Sequence, residues 1–435
     1  MAELTTSCIE NSGVPASGRL PKIGKAKGDC IFCGHALRYT LVDLGLSPLC
    51  ENWLSEQDLH KPETFYPLHA FVCEKCFLVQ VEEYVHGEDI FGGDYGYFSS
   101  FSTSWLEHAA RYVEMITKRL NLDGSSLVVE LASNDGYLLK NFVARGIPNL
   151  GIEPAANCAA EATKLGVNCL VKFFGVETAQ ELRGQGRRAS LLIANNVLAH
   201  VPDLNDFVAG MKILLADDGV LTVEFPHLIR QMAENQFDTI YQEHYCYYSL
   251  YSVEQVFAAH GIILFDVETL PTHGGSLRIY GRHIDNEARA VTEAYRRTME
   301  AELEAGINDL VFYAGFSDRV AETKRKLLHF LVEAKRQGKT VVGYGAPGKA
   351  STLLNYCGVR TDMIDYLVDR NPYKHGRYMP GVRIPIHTPE HIDHTRPDYI
   401  LILPWNLKDE ISEQLAYTRK WGAQFVVPIP EVKVF

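Results

Sequence analysis

Leu127-Val-Val-Glu-Leu-Ala-Ser-Asn-Asp-Gly136 reads as an apolar strand running into a tight turn, with a helix opening at Tyr137-Leu-Leu. A Gly or small residue in such a turn lets the backbone approach a ligand, and the helix start offers unpaired N–H groups. The dinucleotide fingerprint G-x-G-x-x-G is absent. Glu130 stands at the strand end instead, with Asn134, Asp135 and Gly136 in the turn. Leu150-Gly-Ile-Glu153-Pro reads as the next strand end, where a carboxylate can accept two ribose hydroxyls. Leu191-Leu-Ile-Ala-Asn195-Asn196-Val-Leu-Ala-His200 follows, then a helix, the turn Asp217-Asp218-Gly219 and a strand ending at Glu224-Phe-Pro226. Candidate strands at Leu127–Leu131, Leu150–Ile152, Ala189–Ala194, Val220–Phe225 and Ile262–Val267 alternate with amphipathic stretches, which predicts βαβ units and a mostly parallel sheet.

A second block repeats that signature at Thr340–Tyr344, Met363–Val368, Tyr399–Leu403 and Gln424–Val427. The expected organisation is a disordered tail (1–28), a zinc-binding block (29–98), an α/β block with a helical connector from Ser99 to Leu120 (99–283), a helical linker (284–338) and a C-terminal α/β block (339–435). A hydrophobic fraction of 46% excludes a disordered or collagen-like chain. With 42 Lys and Arg against 54 Asp and Glu the net charge is −12, which argues against phosphate-backbone recognition and so against a nucleic-acid partner. No apolar run approaches the roughly 20 residues of a membrane helix. Met1 to Lys27 is polar and lacks the apolar stretch of a signal peptide, so a cytoplasmic protein with reduced cysteines is expected.

Cys30-Ile-Phe-Cys33 and Cys73-Glu-Lys-Cys76 are paired C-x-x-C knuckles. Four thiolates close a tetrahedral zinc shell, leaving no position for water or substrate, so the metal is expected to be structural. Tyr241-Gln-Glu243-His244-Tyr-Cys-Tyr247-Tyr248-Ser249 is the densest polar-aromatic cluster. A Glu beside a His walled by tyrosines can tune an imidazole toward general-base work, and the cluster follows a strand end where α/β sheets present ligands. Thr272-His273-Gly274-Gly275-Ser276-Leu277-Arg278 adds a Gly pair for close approach, a hydroxyl and a cation to balance negative charge. In the C-terminal block, Gly343-Tyr344-Gly345-Ala-Pro-Gly348-Lys349-Ala-Ser351 reads as strand, Gly-rich loop and helix start. Its backbone N–H groups and Lys349 are expected to cradle a diphosphate, with Arg370 at the next strand end and Trp405 offering an aromatic surface.

The series from Leu127 to Phe225 resembles class I methyltransferases that bind S-adenosylmethionine, with their usual E-x-G-x-G-x-G replaced by Glu130-Leu-Ala132-Ser-Asn134-Asp-Gly136. That resemblance implies that Glu130, Ala132, Asn134, Asp135 and Gly136 line the methionine part of the cofactor, that Glu153 holds the ribose, and that Asn195 lies near the methyl group. From Cys30 onward the chain resembles the zinc-containing nucleotide-sugar C-methyltransferases of deoxysugar pathways, on the four cysteines, the methyltransferase centre, the Glu243-His244 cluster, the His273-Gly-Gly-Ser-Leu-Arg278 turn and Gly343 through Asn355 to Gly358. The resemblance implies methylation at C3 of a nucleoside-diphosphate 4-keto-6-deoxyhexose, with His244 as base, Glu243 and Tyr241 beside it, and a tyrosine from the stretch before the connector. Tyr95 and Tyr97 both fit that last place, with Tyr97 preferred. It implies substrate contacts from His273, Gly274, Ser276, Arg278, Tyr344, Lys349, Ser351, Asn355, Arg370 and Trp405. A monomer or weak homo-oligomer is expected. The competing readings are an O- or N-methyltransferase and a catalytically silent zinc-containing binding protein.

Overall fold

The computed structural model describes residues 20–22, 28–87, 90 and 95–435; the tail expected over 1–28 lies otherwise outside the described residues. Of it, Leu20 is buried, and the Pro21 carbonyl accepts the Thr40 N–H at 3.1 Å.

Period-2 burial builds the first sheet from β1 (Tyr39–Ser47), β2 (Tyr66–Val72), β3 (Val79–Val81) and β9 (Cys246–Tyr247), all antiparallel in that order. Alternate residues of β2 serve two cores. Ala70 and Val72 pack with the C-terminal block, and Phe71 packs with the central block. The small sheet is thus sandwiched between the two α/β units.

The central sheet holds β4 (Val128–Leu131), β5 (Asn149–Ile152), β6 (Cys169–Leu170), β7 (Ala189–Asn195), β8 (Leu215–Pro226), β10 (Ile262–Leu270) and β11 (Ser276–His283), in the order β10-β11-β8-β7-β4-β5-β6. β4 to β8 are parallel, as the apolar runs predict, and β11 is antiparallel to both neighbours. One expectation needs correction. Asp217 to Gly219 lies inside the long β8, absorbed by a register irregularity against β7, rather than forming a separate turn. The Gly274-Gly275 pair is the corner of a β10–β11 hairpin, with both glycines at positive φ.

The third sheet runs β14 (Ile386–His387), β13 (Leu367–Val368), β12 (Val341–Tyr344), β15 (Tyr399–Ile402), β16 (Gln424–Val427) and β17 (Lys433–Val434), parallel except at β17. Strand order reverses at β12, so the loops after β12 and β15 flank the crevice where such sheets take ligands. Between the α/β units, the charged stretch divides into helices Glu293–Glu304 and Phe316–Arg336, broken at Gly306 and Gly315, which both take positive φ. The connector helix starts at Thr103, four residues after the expected Ser99, because the Ser102 hydroxyl caps the Trp105 N–H at 3.3 Å.

Candidate active site

The four knuckle cysteines converge, with every Sγ within 4.8 Å of the others and the closest pairs at 3.5 and 3.6 Å. Zn–S bonds of about 2.3 Å set tetrahedral edges near 3.8 Å, so the thiol set fits zinc. Gln80 fixes the first knuckle: its Nε2 donates to Cys30 Sγ at 3.1 Å and its Oε1 accepts the Ile31 N–H. Asn205 then ties the knuckle to the central unit by donating to the carbonyls of Ile31 and Phe32. Cys50 lies elsewhere and donates to Glu243 at 3.4 Å.

At the end of β4, Ala132, Asn134 and Gly136 all adopt positive φ, at 53°, 49° and 76°. The left-handed backbone of a Gly-rich turn is therefore kept, although only one of the three residues is glycine. Glu153 pins the turn, accepting the N–H of Asn134 at 2.8 Å and of Ala155 at 2.9 Å. Asn134 and Asp135 in turn hold the Ser99 and Ser100 amides, which docks the 95–101 strap across the turn. Both oxygens of Glu130, Oδ1 of Asp135 and Oδ1 of Asn195 are buried without a hydrogen-bond partner. The Asp135 and Asn195 oxygens are acceptors, while burial raises the Glu130 pKa strongly against the pull of the Tyr137 hydroxyl. Buried acceptors left without a donor at this strand end fit a ligand carrying an ammonium and a sulfonium, as S-adenosylmethionine does.

Beneath the turn, Glu224 at the end of β8 takes Arg278 at 2.6 Å, His108 at 2.9 Å and the Thr272 hydroxyl at 2.8 Å. Burial opposes its charge, but His108 and Arg278 hold its pKa down at about 2. Arg278 also binds Glu268 at 2.9 Å, stacks on Tyr112 and is 3% exposed. Its charge is already neutralised, so it buttresses the hairpin rather than meeting substrate. Ser276 is likewise buried, donating to the Thr272 carbonyl.

His244 sits in a segment held from three sides. The Val81 N–H donates to the Tyr245 carbonyl, the Tyr245 N–H donates to the Ala199 carbonyl, and the Thr352 hydroxyl donates to the Ile240 carbonyl at 2.8 Å. Its Nδ1 donates to the Thr239 carbonyl at 2.9 Å, which leaves Nε2 as an acceptor for the Tyr241 hydroxyl at 2.8 Å. Burial, together with His200 at 4.6 Å between ring centroids, holds the imidazole pKa well below its ordinary range. The ring is therefore neutral and its Nε2 basic site is defined. The ring is oriented by the Thr239 carbonyl and not by its sequence neighbour Glu243. Burial and the nearby Glu51 raise Glu243 to about 8, so it is protonated near neutrality.

The preferred Tyr97 also needs correction. Tyr95 stands among Glu243, Glu51, Tyr241 and Cys50, whereas Tyr97 is 44% exposed and feels Glu51 and Asp135. Glu51 escaped the sequence reading. It lies in the loop after β1, and burial raises its pKa to about 7 against the pull of Lys374. A turn of ordinary composition gave no signal of which way that carboxylate faces.

The Gly-rich loop of the third sheet does not stand open for a diphosphate. The Ala346 N–H already binds Asp369 at 2.7 Å, and a side chain on Gly348 would start 3.2 Å from a Glu51 carboxylate oxygen. Lys349 leaves the loop and reaches Asn406 at 2.8 Å, over the Trp405 ring at 4.6 Å. The Trp405 indole donates to Asp238 at 2.8 Å, and a side chain on Gly274 would strike that indole at 2.6 Å. His273 lies tilted against Trp105 at 5.0 Å between ring centroids, and burial lowers its pKa to about 4. Ser351 is fully buried, and the Asn355 amide is spent on the Ser351 and Pro380 carbonyls, so both serve packing. Tyr344 and Arg370 line a cavity of about 830 Å³ with Thr103, Glu107, Asp393 and Tyr417.

Models of three protein families match the chain in order: a zinc binding domain over residues 30–91, a methyltransferase domain over 105–264 and a C-methyltransferase C-terminal domain over 271–430. C-methyltransferase NovU of Streptomyces niveus is 35% identical over 408 residues, 93% of this chain and 96% of its own length. Among solved structures, magnesium protoporphyrin IX methyltransferase (ChlM) from Synechocystis PCC 6803 with bound SAM is 14% identical, with a TM-score of 0.33 over 46% of this chain and 99% of that one. A SAM-dependent methyltransferase from Thermotoga maritima is 17% identical, with a TM-score of 0.34 over 45% of this chain and 99% of that one. The chain belongs to the C-methyltransferase family that includes NovU, with a zinc-binding domain ahead of its methyltransferase domain.

Proposed function

We propose that this enzyme methylates C3 of a nucleoside-diphosphate 4-keto-6-deoxyhexose. The observation that carries the reading is the His244 imidazole, neutral and locked by the Thr239 carbonyl so that Nε2 is its acceptor, between a cofactor-type pocket and the crevice of the third sheet. A saturated carbon becomes a nucleophile only when a proton is taken beside a carbonyl, and the C4 ketone provides that acidity. Glu130, Asp135 and Asn195 supply the acceptors that hold the donor, and Glu153 holds their turn. S-adenosylmethionine, when bound, supplies a methyl group on a sulfonium, ready for capture by a carbon nucleophile.

The chain's own residues do the rest. Tyr241 keeps its proton, because burial and the thiol and carboxyl groups around it push its pKa well up. Its hydroxyl turns from Nε2 to the sugar, which frees the imidazole to take the C3 proton. Tyr95 and the protonated Glu243 face the same space and donate to sugar oxygens. Donors fixed before reaction spare the reorganisation that water would need. Tyr344, Arg370 and the cavity they line take the nucleotide.

The test is incubation with S-adenosylmethionine and a panel of 4-keto-6-deoxy sugar nucleotides. The expected product gains one methyl mass and shows, by NMR, a methyl on a carbon next to C4 lacking hydrogen. A methyl on oxygen or nitrogen, or no gain with any ketosugar, overturns the proposal.

A further inference from the structure

We infer that Lys349 is a catalytic residue, its ammonium holding the oxygen of the C4 enolate. This rests on the ketosugar reading above and deepens it. The geometry places the side chain at the base rather than at a phosphate site. Lys349 and Thr352 are one helical turn apart on the helix Gly348–Cys357, and so share a face. Thr352 is bonded to the Ile240 carbonyl, next to Tyr241. From the other side, Lys349 lies over Trp405, the Trp405 indole is bonded to Asp238, and the neighbouring Thr239 carbonyl holds His244. A closed ring of contacts therefore joins the ammonium to the imidazole.

The charge is also outside any salt bridge among the described residues. Arg278 is neutralised by Glu224 and Glu268, Lys374 sits at 3.5 Å from Asp369, and Arg370 lies 3.8 Å from Glu410. Lys349 forms no ion pair among the described residues; its bonded partner is the neutral amide oxygen of Asn406. Its charge is felt by both His244 and His273, and burial lowers its own pKa. The Asp238 carboxyl acts on Lys349 from nearby but makes no salt bridge with it, and a buried ammonium so weakly compensated is costly to keep unless further negative charge arrives. The reaction brings that charge. The C3–H bond breaks, its proton goes to Nε2 of His244, its electron pair forms the C3–C4 double bond, and the carbonyl π pair moves to oxygen. Lys349 donates a hydrogen bond to that oxygen without giving up its proton.

Deuterium exchange at C3 in D2O, followed by NMR on the cofactor-free protein with deoxythymidine-diphospho-4-keto-6-deoxyglucose, isolates the step. Lys349→Met is expected to slow the exchange kcat about 10²–10³-fold. The KM, and the affinity for deoxythymidine diphosphate alone, should stay within about twofold. Lys349→Arg keeps the charge and is expected to exchange at least tenfold faster than the Met variant. It decides the matter should Lys349→Met lose nucleotide binding through misfolding: exchange lost in a folded, nucleotide-binding Arg variant overturns the role. A raised KM and weakened diphosphate binding at unchanged kcat would assign Lys349 to the phosphates instead. Unimpaired exchange in the Met variant removes Lys349 alone, whereas a wild type that neither exchanges nor methylates removes the ketosugar reading with it.

Discussion

Replacing Glu243 with glutamine should make the protein more stable, and increasingly so as pH rises. The carboxyl is 3% exposed, and burial with the nearby Glu51 raises its pKa from 4.5 to about 8. Below pH 4.5 the group is protonated in both the folded and unfolded chain and contributes no difference. Between 4.5 and 8 the unfolded carboxyl has lost its proton while the folded one retains it, so folding must take up a proton. Stability then falls by about 1.4 kcal/mol per pH unit across that window, to a total near 5 kcal/mol above pH 8. Glutamine has the shape of the neutral acid and keeps an acceptor for the Cys50 thiol, so it removes the dependence with little change in packing. From pH 5.5 to 7.5 the gap between variant and wild type should widen by about 3 kcal/mol. Near 0.9 kcal/mol/K of unfolding entropy for 435 residues, that is about 3 °C in Tm. Scanning calorimetry of both proteins across that range measures it. A gap that stays flat or narrows with rising pH means that Glu243 is ionised when folded, which refutes its role as a hydrogen-bond donor.

His244→Asn keeps the fold and removes the base; exchange at C3 and methyl transfer should both fall at least about 10²-fold, as measured by NMR and product mass. Stripping the thiolate cluster with a chelator should lower Tm and abolish methyl transfer together, because β3, which carries Gln80, pairs with β9 just after the base. Gly274→Ala should cost about 1–3 kcal/mol in denaturant titration and raise the KM for the sugar nucleotide, since its methyl would meet Trp405 at 2.6 Å from a backbone at φ +87°. Ala132→Gly should gain about 1 kcal/mol by relieving a left-handed alanine, with activity retained in the methylation assay.

The parallel sheets were legible because their strands are continuous apolar runs, and the zinc set because two knuckles repeat one spacing. The hairpin strand β11 was harder to see, since Gly274-Gly275 reads as a turn before one knows that it joins two antiparallel strands. Site residues divided in the same way. His244 and Tyr241 are neighbours in sequence and stayed neighbours in space. Asp238 and His108 owe their places to contacts across 167 and 170 residues, and Glu51 to burial against Lys374 and Asp369 of another block, and no local pattern encodes those. Arg278, Ser276, Ser351 and Asn355 have the residue types of a binding site, but buried partners already hold the terminal guanidinium nitrogens of Arg278, the Ser276 hydroxyl and the Asn355 amide, and Ser351 is fully buried. Donor or acceptor type is readable from sequence; whether the group is spent is a property of packing.

The same distinction explains why a metal without an open coordination position belongs in this enzyme. The base lies on neither a long helix nor a long strand, and an isolated loop would hold an imidazole too loosely for proton transfer at carbon. Its anchors come from Val81 of β3 in the zinc sheet, from Ala199 in the turn after β7 of the methyltransferase sheet and from Thr352 of the helix Gly348–Cys357. The small sheet can serve as an anchor because alternate faces of β2 are buried against both α/β units. Four thiolates fix the turn on which that sheet closes. Zinc would thus act on the chemistry by setting where His244 stands, and the cysteine block, the acceptor-lined turn and Lys349 meet at one imidazole because each comes from a different one of the three sheets' surroundings.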